Sequence, residues 1–294
     1  MLGPPGPVGS RVTLCGVFAA GMLLAGSAGS LTLAAAEGAA SIPDFQIAND
    51  VAWREIGDEF LPPPSGPGPV INDPKHPFYS NGVQRLGQTP TYHIGELSNP
   101  ILQPWAAEQM RKDNEAVLAG GVAYRPNERC MPGGVPEFVL IARISPFFFF
   151  QTPREVTILN QNGPEIRHVF LNVPHSKNVK PSWYGESVGH YEGGDTLVVD
   201  TIGQNDKTFT DNYRTPHTDK IHVIERWKLA ADAQTVDVSV YVEDPGAFTT
   251  PWTGVQRWSR VELAPILQVP CNENNDDHFS QDLVPLAEAK TPDF

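Results

Sequence analysis

Ile221-His222-Val223-Ile224-Glu225-Arg226-Trp227-Lys228-Leu229, then Ala230-Ala231-Asp232-Ala233, then Thr235-Val236-Asp237-Val238-Ser239-Val240-Tyr241-Val242-Glu243: this stretch decides the fold. In its second half, Val236, Val238, Val240 and Val242 alternate with Thr235, Asp237, Ser239, Tyr241 and Glu243. Side chains on a strand point to opposite faces in turn, so this period of two makes one dry and one wet face. The first half alternates likewise and a turn around Ala230 to Ala233 lies between, so the two halves read as a hairpin.

The same pattern extends outward in both directions. Ser187 to Glu192, Gly193-Gly194-Asp195 and Thr196 to Thr201 form a second hairpin. Val156-Thr157-Ile158-Leu159 and Ile166 to Leu171 flank the turn signal Asn162-Gly163-Pro164. Phe138 to Ala142 is a short apolar run, Phe147 to Phe150 reads as a buried strand, and a last strand runs over Val255 to Val261. Roughly seven to nine strands on short turns make an antiparallel meander, which must pair its edges or close on itself. The expected fold is mainly β, a closed or nearly closed barrel of calycin or lipocalin type. A β-sandwich is the alternative.

Before the strands the chain changes character. Residues 37–100 show little periodicity, and Leu61-Pro62-Pro63-Pro64-Ser65-Gly66-Pro67-Gly68-Pro69 excludes helix and central strand, because proline fixes φ and removes a donor. This region reads as an extended arm. A helix is expected over 103–119, with Pro104 in its first turn, Gly120-Gly121 after it, and a loose apolar stripe of Trp105, Ala106, Met110, Val117 and Leu118. The barrel domain is expected over 101–275, with a tail at 276–294.

The first residues read as a secretory signal. Arg11 gives the positive region, Val12 to about Leu24 the apolar stretch, and small residues offer cleavage after Ala28 or Ala36. The stretch is rich in Gly and Ser and lacks a basic stop-transfer flank, which favours cleavage over a membrane anchor. Residues 1–36 are assigned to the signal, and the mature protein is expected to be periplasmic or secreted, with no membrane contact. Removal leaves Cys130 and Cys271. In an oxidising compartment they suggest one disulfide; two unrelated buried thiols are the other reading.

The formal charge is −13, from 21 basic and 34 acidic residues. No Lys/Arg cluster is present to hold phosphates, which excludes a nucleic-acid binder and disfavours anionic membranes. No Walker motif, strand-linked G-x-G-x-x-G, C-x-x-C or G-x-S-x-G elbow occurs. No cofactor is expected.

Several runs resemble a known group of proteins. They are Pro181-Ser182-Trp183-Tyr184-Gly185-Glu186-Ser187-Val188-Gly189-His190-Tyr191-Glu192 with Asp195 to Thr201, Thr215 to Arg226, and Glu243-Asp244-Pro245-Gly246-Ala247-Phe248. Arg129 to Pro136 and Cys271-Asn272-Glu273-Asn274 mark the ends of the match. Over about 100–275 the chain resembles a large family of exported bacterial β-rich proteins, mostly without assigned function. The family's hairpin reads Trp-Glu-Gly-Asp-Thr, where this chain has Tyr191-Glu192 and a doubled Gly193-Gly194. The resemblance implies an exported β domain and a Cys130–Cys271 pairing. It implies no reaction.

Chemistry must therefore be read from the residues. Alternation puts Glu225 on a face with Ile221, Val223, Trp227 and Leu229, the drier one. A carboxylate facing a core has its pKa raised unless a cation or donors meet it, and such a group acts as a general acid or base. A structural pair with an inward-reaching Arg or His is the other reading. His168 shares a strand face with Ile166 and Phe170, and His190 with Val188. Turned inward, these imidazoles would meet Glu225 and move protons. Two long loops, 172–186 and 202–220, carry Trp183, Tyr184, Tyr213 and His217, which with Trp227 are expected to line a pocket for an apolar or aromatic ligand. His168, His175, His190, His217 and His222 lack metal-ligand spacing, so no metal is expected.

The expected function is an exported barrel that holds a small hydrophobic or aromatic molecule. The alternative is a cofactor-free lyase, hydratase or isomerase using Glu225 with a histidine. A third reading has the proline-rich arm at 61–69 dock a protein partner.

Overall fold

The computed structural model describes residues 42–46, 51–77, 93–121, 125–140, 146–160, 165–262 and 266. All lie in the compact unit Ala40–Phe294. The expected signal, the tail 276–294, Cys271 and the Asn162-Gly163-Pro164 turn fall outside the described residues.

The chain is mainly β, and nine strands close into a barrel in sequence order. They are β1 (Val51–Glu55), β2 (Phe147–Gln151), β3 (Glu155–Asn160), β4 (Glu165–Leu171), β5 (Glu186–Glu192), β6 (Thr196–Ile202), β7 (His222–Leu229), β8 (Thr235–Glu243) and β9 (Trp252–Glu262). The hairpin that decides the fold forms in the register read from its alternation, with Glu225 opposite Val240 and Trp227 opposite Val238. Val236, Val238, Val240 and Val242 are all buried.

Three expectations are corrected. The sheet is mixed, because β4 and β5 are parallel through Val169–Ser187, Phe170–Val188 and Leu171–Gly189. Parallel neighbours need a crossover of about a dozen residues or more. The long 172–185 connection is that crossover, so its length follows from topology. Second, the region read as an arm supplies a barrel strand. β1 is short, pairs with β9 along its whole length, and meets β2 at Trp53–Phe147, which closes the barrel. Third, the run from Phe138 is a one-turn 3-10 helix, Glu137–Leu140, buried throughout.

The single described α-helix, α1 (Pro104–Leu118), has Pro in its first turn. Gly120 beyond it takes φ 91°, a left-handed value that glycine adopts without a Cβ clash. Its inward residues are Ala106, Met110 and Asn114, at a spacing of four. Trp105 and Leu118, expected in the stripe, are exposed.

The barrel interior is filled. Trp258 stacks on Phe147 with centroids 4.4 Å apart, and Trp227 meets Trp258 edge-on at 4.8 Å. Phe149 packs against Trp227 at 5.7 Å. Both ends are closed by chain. At the end of Gln151 and Tyr191, Phe45 stacks on Phe149 at 5.1 Å, and its carbonyl accepts from Trp53 Nε1 at 2.8 Å. At the end of Asn160 and Glu165, Phe138 sits on Phe147 at 4.9 Å, and the Val139 carbonyl accepts from Trp258 Nε1 at 3.3 Å.

Candidate functional site

Glu225 points into the barrel and is fully buried, as its strand face requires. Its partner is Arg167, not a histidine. Arg167 Nη1 donates to Glu225 Oε1 at 2.9 Å, and Nη2 donates to Oε2. The same guanidinium donates to Thr201 Oγ1 at 2.8 Å and to Ser187 Oγ at 3.2 Å, while Ser187 and Thr201 share a hydroxyl–hydroxyl bond of 2.8 Å. Phe138 covers the guanidinium from 5.8 Å. Four strands thus contribute one closed polar array: β4, β5, β6 and β7. Both carboxylate oxygens are taken by one fork of donors, a geometry that holds charge in place rather than offering it to a substrate.

The histidines lie elsewhere. β4 buries Glu165, Arg167, Val169 and Leu171, so Ile166, His168 and Phe170 face outward. The parity read from its apolar residues is therefore reversed. An inward Glu225 needs an inward cation, and on β4 only the other parity supplies one. His168 is bonded to Glu155 on the outer wall. His190 is exposed and bonded to Glu192 at 2.9 Å. Neither reaches Glu225. Arg167, missed as a site residue, was signalled by that unpaired inward carboxylate.

The expected ligand-lining residues do not converge on one pocket. Trp227 is in the aromatic core. Tyr184 packs edge-on against Phe138 at 5.6 Å. Trp183 is partly exposed beside the Lys207 ammonium at 5.9 Å. His217 is buried, bonded to Thr208 Oγ1 at 2.7 Å, with burial lowering its pKa. Tyr213 is buried and donates its hydroxyl to Glu59, and burial first, then the Glu59 carboxylate, raises its pKa. The 202–220 loop thus fastens the arm rather than opening as a lid. Asn212 Nδ2 donates to the Asp58 carbonyl, and Arg214, at φ 62°, donates to the His93 carbonyl at 3.0 Å.

Glu165 lies two residues from Arg167 on the same inner face, and accepts from the Gly133 N–H at 3.3 Å. Burial pushes its pKa up to about 7, against the lowering effect of that N–H.

Open space occurs outside the barrel. A cavity of about 620 Å³ lies between α1 and two arm segments, 71–76 and 94–98. The segments are held to each other by Asp73 N to Ile94 O at 2.8 Å and Glu96 N to Ile71 O at 2.9 Å. Asn114, buried on α1, ties the helix to them by donating Nδ2 to the Gly95 carbonyl at 2.9 Å. Among the described residues, Ile71, Ile94, Leu97 and Leu118 form the apolar lining, with the His76 ring beside them. Ile71 and Leu118 are exposed at 42% and 52%, which leaves two large apolar side chains facing this space uncovered. Sequence periodicity gave no sign of the cavity, because the arm that meets the helix at Asn114 and Met110 has no regular pattern.

Among the described residues, no group of three or more His, Cys, Asp or Glu is placed to hold a metal ion. No described helix is long and apolar enough to cross a membrane. No family model, curated protein or solved structure matches this chain.

Proposed function

We propose that the chain is an exported protein that binds a small apolar molecule, and that the binding site is the cavity between α1 and the arm. The observation that carries this reading is the cavity itself. Its volume of about 620 Å³ falls within the range of roughly 300–1,000 Å³ usual for small-molecule sites. Aliphatic side chains line it, and polar groups ring it. The acid–base alternative loses its basis, since Glu225 is saturated by Arg167 and both histidines sit on the outer wall.

Export belongs to the same proposal, supported by the charged, apolar and small-residue succession over 1–36. So does the Cys130–Cys271 bond. What supports it is that Cys130 is not a free thiol, together with the oxidising compartment that export implies.

The test is a native mass spectrum of protein purified from its own periplasm, beside a Leu118→Trp variant that fills the cavity. The expected result is a co-purifying small molecule on the natural protein and none on the variant. A molecule retained equally by both would overturn the site, and bare protein in both cases would overturn the binding reading.

A further inference from the structure

We infer that the cavity selects apolar molecules carrying one carboxylate, with an aliphatic chain as the body. This rests on the binding reading above and names its ligand class. The lining holds three carboxylates, and each is already engaged within the chain. Asp73 Oδ1 accepts from the Lys75 N–H at 2.9 Å. Glu96 accepts from the Ser98 N–H and hydroxyl, both at 2.8 Å. Glu115 is paired with Arg111, whose guanidinium also holds Glu108 at 2.8 Å. Arg111 is therefore committed to its own helix.

Beside the His76 imidazole, Lys75 is the remaining basic side chain of the lining, and among the described residues its ammonium has no ion-pair partner. It stands at the rim, while Ile71, Ile94, Leu97 and Leu118 supply an apolar floor and walls. A ligand with an apolar chain and one anionic end satisfies both: the chain covers the exposed Ile71 and Leu118, and the carboxylate meets the free ammonium. A cationic end would have to share Asp73 and Glu96 with the N–H and hydroxyl donors of their own segments, and Glu115 with Arg111. The apolar lining among the described residues is four aliphatic side chains, which suit a flexible aliphatic body.

Decanoate, decanol and 1-naphthoate serve as probes, titrated into isotopically labelled full-length protein and followed by backbone amide shifts. Decanoate is expected to move signals of 71–76, 94–98 and 111–118 and to bind more tightly than the other two. Lys75→Ala should weaken decanoate about two- to five-fold, the range for one exposed charge pair, and leave decanol unchanged. Equal affinity for decanol and decanoate, or decanoate binding indifferent to Lys75→Ala, would overturn the carboxylate selectivity and leave the cavity reading standing. Tighter binding of 1-naphthoate would overturn the aliphatic body. If none of the three moves those signals, the cavity reading itself fails.

Discussion

The barrel interior and the cleft beside α1 both combine apolar side chains with a few charges, and come out opposite. Inside the barrel, aromatic rings pack with centroids 4.4–5.7 Å apart, and every formal charge of the Arg167–Glu225 array has a partner. In the cleft, two large aliphatic side chains remain exposed, and a lysine has no ion-pair partner among the described residues. A closed sheet forces inward side chains together, so they must fill the space and satisfy one another. A helix held to an irregular arm through the Asn114 amide and the packing of Met110 is under no such closure. The difference teaches that enclosure marks the scaffold here, and incomplete packing marks the site.

The comparison breaks most readily at the buried pair. Glu225→Gln leaves the Arg167 charge buried without its partner, and should cost about 3–5 kcal/mol in denaturant unfolding. Arg167→Met together with Glu225→Leu should recover most of that loss, because a packed apolar pair needs no desolvation of charge.

Glu165 gives the next effect, with a defined pH sign. Its folded pKa of about 7 lies above the ordinary glutamate value, so the folded state holds the proton more tightly. Stability is then greatest below about pH 4.5 and declines as pH rises through about 7. Glu165→Gln should remove that decline, leaving the variant about 2–3 kcal/mol more stable than the natural protein at pH 8 and nearly level with it at pH 4. Thermal or urea unfolding across that window reads it directly.

At Gly189, on the β4–β5 seam, an added Cβ would lie 2.7 Å from the Val198 carbonyl and 2.8 Å from Val169 Cγ1. Gly189→Ala should cost about 1–3 kcal/mol by overpacking. The smallest effect on stability belongs to the cleft. Leu118→Asp should change unfolding by less than about 0.5 kcal/mol, since the side chain is already exposed, yet abolish decanoate binding. Loss of the fold on that substitution would place Leu118 in the scaffold.

Much of the scaffold was legible in the sequence. The valines of β8 and the Glu225 face of β7 follow from strict alternation, and the helix limits from Pro104 and Gly120. β4 was not, because Ile166 and Phe170 are apolar and face out, while Arg167 faces in. Alternation reports a period and leaves the parity to hydrophobicity, which misleads where a buried ion pair outweighs two exposed apolar side chains. β1 escaped notice because Val51–Glu55 is five residues long and stands among prolines and glycines. The cleft was invisible for a different reason. It forms where Asn114 meets Gly95, 19 residues away, a meeting no local pattern encodes.

The most direct measurement is decanoate affinity in the folded Arg167→Met, Glu225→Leu double variant. If the interior is scaffold and the cleft is the site, affinity matches that of the natural protein within error while the buried charges are gone. A variant that keeps its fold and loses decanoate would put the ligand inside the barrel and contradict the division drawn between the two regions.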